Sequence, residues 1–97
     1  MNNNIEIFKE LVIQVVEKLR FVEKLSGDLV NELYSVFDKI CREYEGKESI
    51  PKSIVFDVLT LHDNLEGALN HYPEDQQAYI ASINSKISIF IERLLLS

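Results

Sequence analysis

The amino-acid sequence predicts an all-α protein: an antiparallel, up-down-up-down bundle of four helices. Apolar residues recur three and four positions apart in four successive stretches, which is the spacing of one face of an α-helix. Turn-forming residues are scarce, with 3 glycines and 2 prolines in 97 residues. The short breaks between long helical stretches place consecutive helices side by side. Apolar residues make up 46% of the chain, enough for the core of one domain spanning residues 1–97.

The first helix is predicted from Ile5 to Leu25, with Asn4 as its N-cap. Its apolar stripe consists of Ile5, Phe8, Val12, Val15, Leu19 and Val22. The break that follows is expected to use Gly27 in a left-handed C-cap conformation, while Ser26 or Asp28 caps the second helix.

The second helix is predicted from Leu29 to Tyr44, and its stripe consists of Val30, Leu33, Phe37, Ile40 and Tyr44. Cys41 flanks this stripe and is expected to be a buried, unreactive thiol. The polar segment 45–48 then forms the longest gap, where Gly46 marks a turn.

The third helix is predicted within Ser49–Asn70. Ser49 is placed to cap it, and Pro51 fits its first turn because proline has a fixed φ and no N–H. Pro73 ends the helix before it, because proline disfavours helical geometry in the preceding residue. The stripe consists of Ile54, Val58, Leu61, Leu65 and Ala68, and Lys52, Asp57, Thr60 and Asp63 lie off it.

The fourth helix is predicted to begin near Pro73 and to continue to the C-terminal residues. Glu74 and Asp75 in its first turn interact favourably with the helix dipole. Its stripe consists of Ile80, Ile83, Ile87, Phe90 and Leu94.

The charge balance excludes several classes of partner. The net charge is −6 and the isoelectric point is near 4.8, so the chain repels a nucleic-acid backbone and an anionic membrane surface. No apolar run is long enough to insert into a bilayer. The single cysteine allows no internal disulfide, and the first residues do not resemble a signal peptide. We therefore expect a cytoplasmic protein.

The sequence offers little for catalysis or for metal binding. His62 and Glu66 share a helix face, but a zinc or iron site needs three or four converging ligands. The segment 62–67 differs from the phosphorylated segment of histidine phosphotransfer bundles in the positions of its leucine and glycine. We predict a protein that is not an enzyme and has no cofactor or metal. Whether His62 has a role is left open.

Surplus apolar residues off the main stripes are the remaining candidates for function. A contiguous exposed patch of such residues would mark a protein-binding surface. The predicted contact residues are Phe21, Phe56, Leu59, Ile89 and Leu96. Their placement in the fold decides whether they form one surface.

A family resemblance gives this prediction a more specific form. The segments Tyr44-Glu45-Gly46, Ser49-Ile50-Pro51, Leu65–Leu69 and Asp75-Gln76-Gln77 resemble those of the immunity proteins of class IIa (pediocin-like) bacteriocins, of the enterocin A immunity type. The resemblance covers about half of the chain. It implies a non-enzymatic cytosolic protein that protects the producer cell from a pore-forming peptide. It also implies action at the peptide's receptor, a mannose phosphotransferase permease with bound bacteriocin.

The chain departs from the family pattern in its acidity and in lacking a polar tail after the fourth helix. Two other hypotheses therefore stay open. One is a small helical adaptor or antitoxin that neutralises a soluble protein by direct binding. The other is a structural bundle that self-associates through the apolar end of the fourth helix. The sequence does not determine the oligomeric state.

Overall fold

The computed structural model describes residues 3–96, in which four α-helices and no strands occur. The helices are α1 (Asn3–Arg20), α2 (Gly27–Glu43), α3 (Lys52–Ala68) and α4 (Glu74–Leu96). The predicted all-α fold with four helices is confirmed for this part of the chain. None of the four helices is long and apolar enough to cross a membrane.

The end of α1 differs from the prediction. The helix begins at Asn3, so the expected cap, Asn4, lies inside it, and it stops at Arg20 rather than at Leu25. The following turn contains Val22 with φ of 55°. This left-handed conformation is rare for a β-branched residue, because its Cβ crowds the following carbonyl group.

Two backbone hydrogen bonds define this turn as a Schellman motif. The N–H of Glu23 donates to the carbonyl of Lys18 at 2.8 Å, and the N–H of Val22 donates to the carbonyl of Leu19 at 3.3 Å. Val22 therefore occupies the position that a glycine normally takes. The prediction that Gly27 would have this conformation is wrong, because Gly27 is the first residue of α2 and has no positive φ.

The start of α2 follows the prediction more closely. Ser26 is the N-cap, and its hydroxyl accepts a hydrogen bond from the N–H of Leu29 at 3.1 Å. This bond satisfies one of the backbone donors that the first turn leaves unpaired.

Prolines precede the other two helices. Pro51 is the N-cap of α3, and no side chain caps that helix, so the predicted role of Ser49 is wrong. The carbonyl of Pro73 accepts from the N–H groups of Gln76 and Gln77 at 2.8 and 3.1 Å, as expected for a helix that starts beside it. The end of α3 comes at Ala68, earlier than the sequence predicted.

Helix neighbours differ from the expected arrangement. α1 packs against α2 and α3, and α4 packs against α2 and α3. Over residues 3–96, the consecutive helices α2 and α3 do not contact each other, and neither do α1 and α4. The prediction that every short connection joins adjacent helices is therefore wrong for segment 44–51, which crosses between opposite corners of the bundle.

The core confirms the predicted stripes of α3 and α4 completely, and those of α1 and α2 in their central positions. Ile5 and Tyr44 are partly buried, and Val22 is exposed. Three aromatic rings join α1, α2 and α4, with ring centroids 4.9 Å apart for Phe8 and Phe37 and 5.0 Å apart for Phe37 and Phe90.

Candidate functional site

The structure leaves all five predicted contact residues more than half exposed, and it distributes them over α3, α4 and the turn after α1. Phe56 and Leu59 lie on adjacent turns of α3. Phe21 follows the end of α1, and Ile89 and Leu96 lie two turns apart on α4. Phe56 and Leu59 are therefore the pair that lies side by side.

Val55 extends this pair into a short apolar ridge on the outer surface of α3. We call Val55, Phe56 and Leu59 the α3 ridge; Phe56 is the most exposed of the three, at 69%. Phe56 and Leu59 contribute little to the core in this conformation, because both are more than half exposed and burial is what stabilises an apolar side chain. Two grooves flank the ridge, one toward α4 and one toward α1.

The α3/α4 groove is apolar and has a volume of about 200 Å³. His62 is the polar residue at its edge, where Nδ1 lies 3.6 Å from Asp63 Oδ1 and Nε2 lies 3.5 Å from Glu66 Oε1. Glu66 Oε1 also accepts from the side-chain amide of Asn84 at 3.2 Å, which links α3 to α4. The lining residues are Val55, Val58, Leu59, His62, Ile91, Leu94 and Leu95.

The α1/α3 groove is larger and mixes apolar walls with charged groups. Its volume is about 310 Å³, and Phe56 of the α3 ridge forms part of one wall. The lining residues are Lys9, Val12, Ile13, Val16, Glu17 and Arg20 from α1, and Phe56, Asp57 and Thr60 from α3.

Asp57 is the unusual residue of this groove. The sequence placed it off the apolar stripe, but it is only 6% exposed and is the buried charged residue of the described chain. Its Oδ2 atom is buried and has no hydrogen-bond partner within residues 3–96. Burial raises the pKa of Asp57, and the positive charge of Lys9 acts in the opposite direction.

The neighbours of Asp57 are committed to other interactions. The hydroxyl of Thr60 donates to the carbonyl of Phe56 at 2.9 Å. Nε of Arg20 donates to Asn64 Oδ1 at 3.2 Å. No ion pair within 4.0 Å joins Lys9 to Asp57 in the part of the chain that the structure describes. Oδ2 of Asp57 thus lies at a groove without a hydrogen-bond partner among the described residues, and Lys9 acts on it only from beyond ion-pair distance.

A third cleft, of about 530 Å³, lies near the C-terminal ends of α1 and α3. Arg20, Asp63 and His71 line it together with the left-handed residue Val22. These polar groups are exposed to solvent, which screens their charges. The cleft is therefore a solvent-exposed surface of mixed apolar and polar lining.

Cys41 is buried, as the sequence predicted. Its thiol donates to the carbonyl of Phe90 with an Sγ–O distance of 3.4 Å. Burial raises the pKa of Cys41, which lowers the fraction of reactive thiolate. Among residues 3–96, no group of three or more His, Cys, Asp or Glu residues is placed to hold a metal ion.

A signal for Asp57 was present in the sequence. Asp57 follows Ile54 by three positions and precedes Leu61 by four, so it lies on the same face of the helix as two buried residues. The single-stripe interpretation missed it because α3 contacts both α1 and α4, which buries a wider arc than one stripe. Ile13 and Leu95 were also missed as groove residues, although both are apolar and off the main stripes.

Comparison with known proteins adds no further constraint. No protein-family model, curated protein or solved structure matches this chain. The geometry of the α3 ridge and its two grooves therefore carries the functional argument.

Proposed function

We propose that this protein is non-enzymatic and acts by binding a protein or peptide through the α3 ridge. The observation that carries the proposal is the exposure of Phe56 and Leu59 beside each other, between two grooves. Exposed apolar side chains that cluster in this way are typical of protein-binding surfaces. Phenylalanine is a particularly effective anchor because it offers a large apolar area.

The specific role we propose is immunity to a pediocin-like bacteriocin. In this proposal the protein acts in the cytosol of the producer cell and contacts the complex between the peptide and its mannose phosphotransferase permease. The resemblance of segments 44–51 and 65–77 to class IIa immunity proteins supports this role. The exposed ridge supplies a surface through which such contact could occur.

A protection assay tests this role. The chain is expressed in a sensitive bacterial strain, which is then challenged with a representative panel of pediocin-like peptides. We expect survival to increase for at least one peptide. Unchanged killing across the panel, with the protein present in the cells, would contradict the proposal.

Variants of the ridge make the assay specific. Phe56→Ser combined with Leu59→Ser is expected to abolish protection, because it removes two apolar anchors without disturbing the core. Phe21→Ser combined with Ile89→Ser is the matched control, since it removes equally exposed apolar residues elsewhere. Equal loss of protection in both double variants would show that the α3 ridge has no special role.

The acidic surface favours a second candidate function. A net charge of −6 would steer the chain toward a basic partner, as in an adaptor or antitoxin that neutralises a soluble protein. Cross-linking in the source cell followed by purification distinguishes the two roles. Recovery of permease subunits supports immunity, and recovery of a basic soluble protein supports neutralisation.

We also infer that the helix directions alternate along the chain, which gives the up-down-up-down topology. Phe8, early in α1, contacts Phe37, late in α2. Glu66, late in α3, bonds Asn84 in the first half of α4. Both pairings support antiparallel packing within each pair of consecutive contacting helices. Spin labels at the ends of α1 and α2 would test the inference by their separation.

A further inference from the structure

The unpaired carboxylate of Asp57 implies a ligand for the α1/α3 groove. Asp57 is only 6% exposed, and its Oδ2 atom has no hydrogen-bond partner among the described residues. A buried carboxylate oxygen without a hydrogen-bond partner reduces the stability of a folded protein. A buried ionisable group of this kind at a groove is a candidate for a functional site.

The groove around Asp57 defines the chemistry of that ligand. A volume of about 310 Å³ is at the lower end for small-molecule sites, and it suits a single long side chain. The groove has apolar walls, which include Val12 and Val16 on α1 and Phe56 on α3. A cation on a flexible apolar stem matches both features, because its methylenes can lie on the walls while its charge reaches the carboxylate.

The other charged groups of the groove are compatible with a cationic ligand. Lys9 and Arg20 on α1 are exposed, so both can remain in solvent when a ligand enters. Glu17, also exposed on α1, adds negative charge at the groove. On α3 no other ionisable side chain lines the groove in the described chain. The net charge of −6 draws cations toward this surface.

We propose that the α1/α3 groove receives a lysine or arginine side chain of the protein's partner, which pairs with Asp57 beside the α3 ridge. The proposal rests on the proposed function, because it names the chemistry that the same partner presents next to Phe56. The partner therefore carries a basic residue beside an apolar one. The apolar residue contacts the ridge, and the basic residue enters the groove.

A pair of synthetic helical peptides tests this chemistry. One contains leucine and lysine at helical spacing, and the other has every lysine replaced by glutamine. Binding to the whole protein is measured by calorimetry at about 0.15 M salt, where surface charges are partly screened. We expect the lysine peptide to bind the wild-type chain about 10-fold more tightly than the glutamine peptide, or better.

Asp57→Asn tests the role of the carboxylate, and Asp63→Asn is the matched control. Both variants remove one negative charge from α3, but Asp63 is exposed while Asp57 is buried. We expect Asp57→Asn to weaken lysine-peptide binding by about 30-fold, and Asp63→Asn by less than about 3-fold, because a buried pair is screened less than a surface one. Equal losses in the two variants, or no binding by the wild-type chain, would overturn the proposal.

A second measurement separates ligand binding from a structural role. The titration of the Asp57 carboxyl carbon is followed by NMR with and without the lysine peptide. We expect the pKa of Asp57 to fall when the peptide is bound, since a nearby cation favours the carboxylate. An unchanged pKa at saturating peptide would contradict the proposed pairing.

The protection assay distinguishes failure of this inference from failure of the proposed function. If the wild-type chain protects cells and Asp57→Asn protects equally well, the groove inference is wrong and the proposed function stands. If the wild-type chain gives no protection, the immunity role is wrong, and the peptide measurements still decide what the groove binds.

Discussion

The contact between α2 and α4 and the contact between α1 and α3 both join helices that are far apart in sequence, yet they are built differently. In the α2/α4 contact, Phe37 and Phe90 stack, and the Cys41 thiol bonds a backbone carbonyl. Asp38 pairs with Arg93 at 2.8 Å. In the α1/α3 contact, Asp57 is buried without a partner, and Phe56 stands exposed beside it.

This difference separates the part of the molecule that maintains the fold from the part that is available for binding. The α2/α4 contact buries its aromatic rings, pairs Asp38 with Arg93, and satisfies the Cys41 thiol within the chain. The α1/α3 contact keeps a buried carboxylate oxygen without a hydrogen-bond partner beside a groove, which lowers the stability of the isolated protein. The comparison yields four predictions about stability, in order of decreasing size.

The largest expected effect contrasts two phenylalanines. Phe37→Ala should lower the free energy of unfolding by about 3–5 kcal/mol, because it leaves a cavity in the core. Phe56→Ala should change it by no more than about 0.5 kcal/mol, because the side chain is exposed. Urea denaturation measures both values. Similar losses would show that Phe56 belongs to the core and not to a binding surface.

Asp57→Leu should stabilise the protein at neutral pH by about 1–3 kcal/mol, because it removes the cost of burying an unpaired polar group. Asp63→Leu is the control on the exposed side of the same helix and should lie within about 0.5 kcal/mol of wild type. A large loss in Asp57→Leu would mean that the carboxylate has a structural partner, and would remove the reason to expect a ligand.

The same variant has a defined pH dependence. Because burial raises the pKa of Asp57, the folded chain binds the proton of the Asp57 carboxyl group more tightly than the unfolded chain does. Wild-type stability is therefore reduced above the folded pKa and recovers as the pH falls through it. The advantage of Asp57→Leu should be largest at neutral pH and should shrink on acidification.

Val22→Gly should raise the free energy of unfolding by about 1 kcal/mol. Glycine adopts the left-handed conformation without the Cβ penalty, although it loses more backbone entropy on folding. Gly46→Ala is the control in the reverse direction, because it replaces a left-handed glycine, with φ of 74°, by a residue that has a Cβ. A Cβ added at Gly46 would meet no atom within 4 Å. This control should lose stability through the backbone alone. A loss in Val22→Gly would indicate that the valine side chain makes a stabilising contact.

Arg93→Ala should have the smallest effect of the four, because Asp38 and Arg93 are both partly exposed. The hydrogen bond from Arg93 lowers the pKa of Asp38. The stabilisation is therefore present above the ordinary aspartate pKa of about 3.9 and is lost as the pH falls through the lowered value. Melting temperatures of Arg93→Ala and wild type should converge in acid and in about 1 M salt.

The sequence predicted the helices better than it predicted their neighbours. Periodicity identifies the buried face of a helix, and it did so for the stripe of α4 from Ile80 to Leu94. Periodicity does not say which other helices pack against that face, so the sequence did not predict that α2 and α3 are not in contact. Val22 was missed because no residue type signals a left-handed valine, whose conformation depends on contacts far along the chain.

Those contacts come from Tyr72, which is buried after the end of α3. Its hydroxyl lies 2.6 Å from the carbonyl oxygen of Glu23 and 3.2 Å from that of Lys18. These are the residues whose backbone hydrogen bond closes the turn around Val22. A long-range side chain thus holds a local backbone conformation that local sequence disfavours.

The diagonal path of segment 44–51 has a consequence for how quickly the parts assemble. α1 with α2, and α3 with α4, are each joined by a short connection, so each pair can form by closing a small loop. We expect the α1/α3 contact to form after both pairs exist. Val12 is a buried residue of α1 at the α1/α3 groove. We therefore expect Val12→Ala to accelerate unfolding in stopped-flow experiments while leaving the refolding rate nearly unchanged. A strongly slowed refolding phase would mean that the two halves recognise each other early.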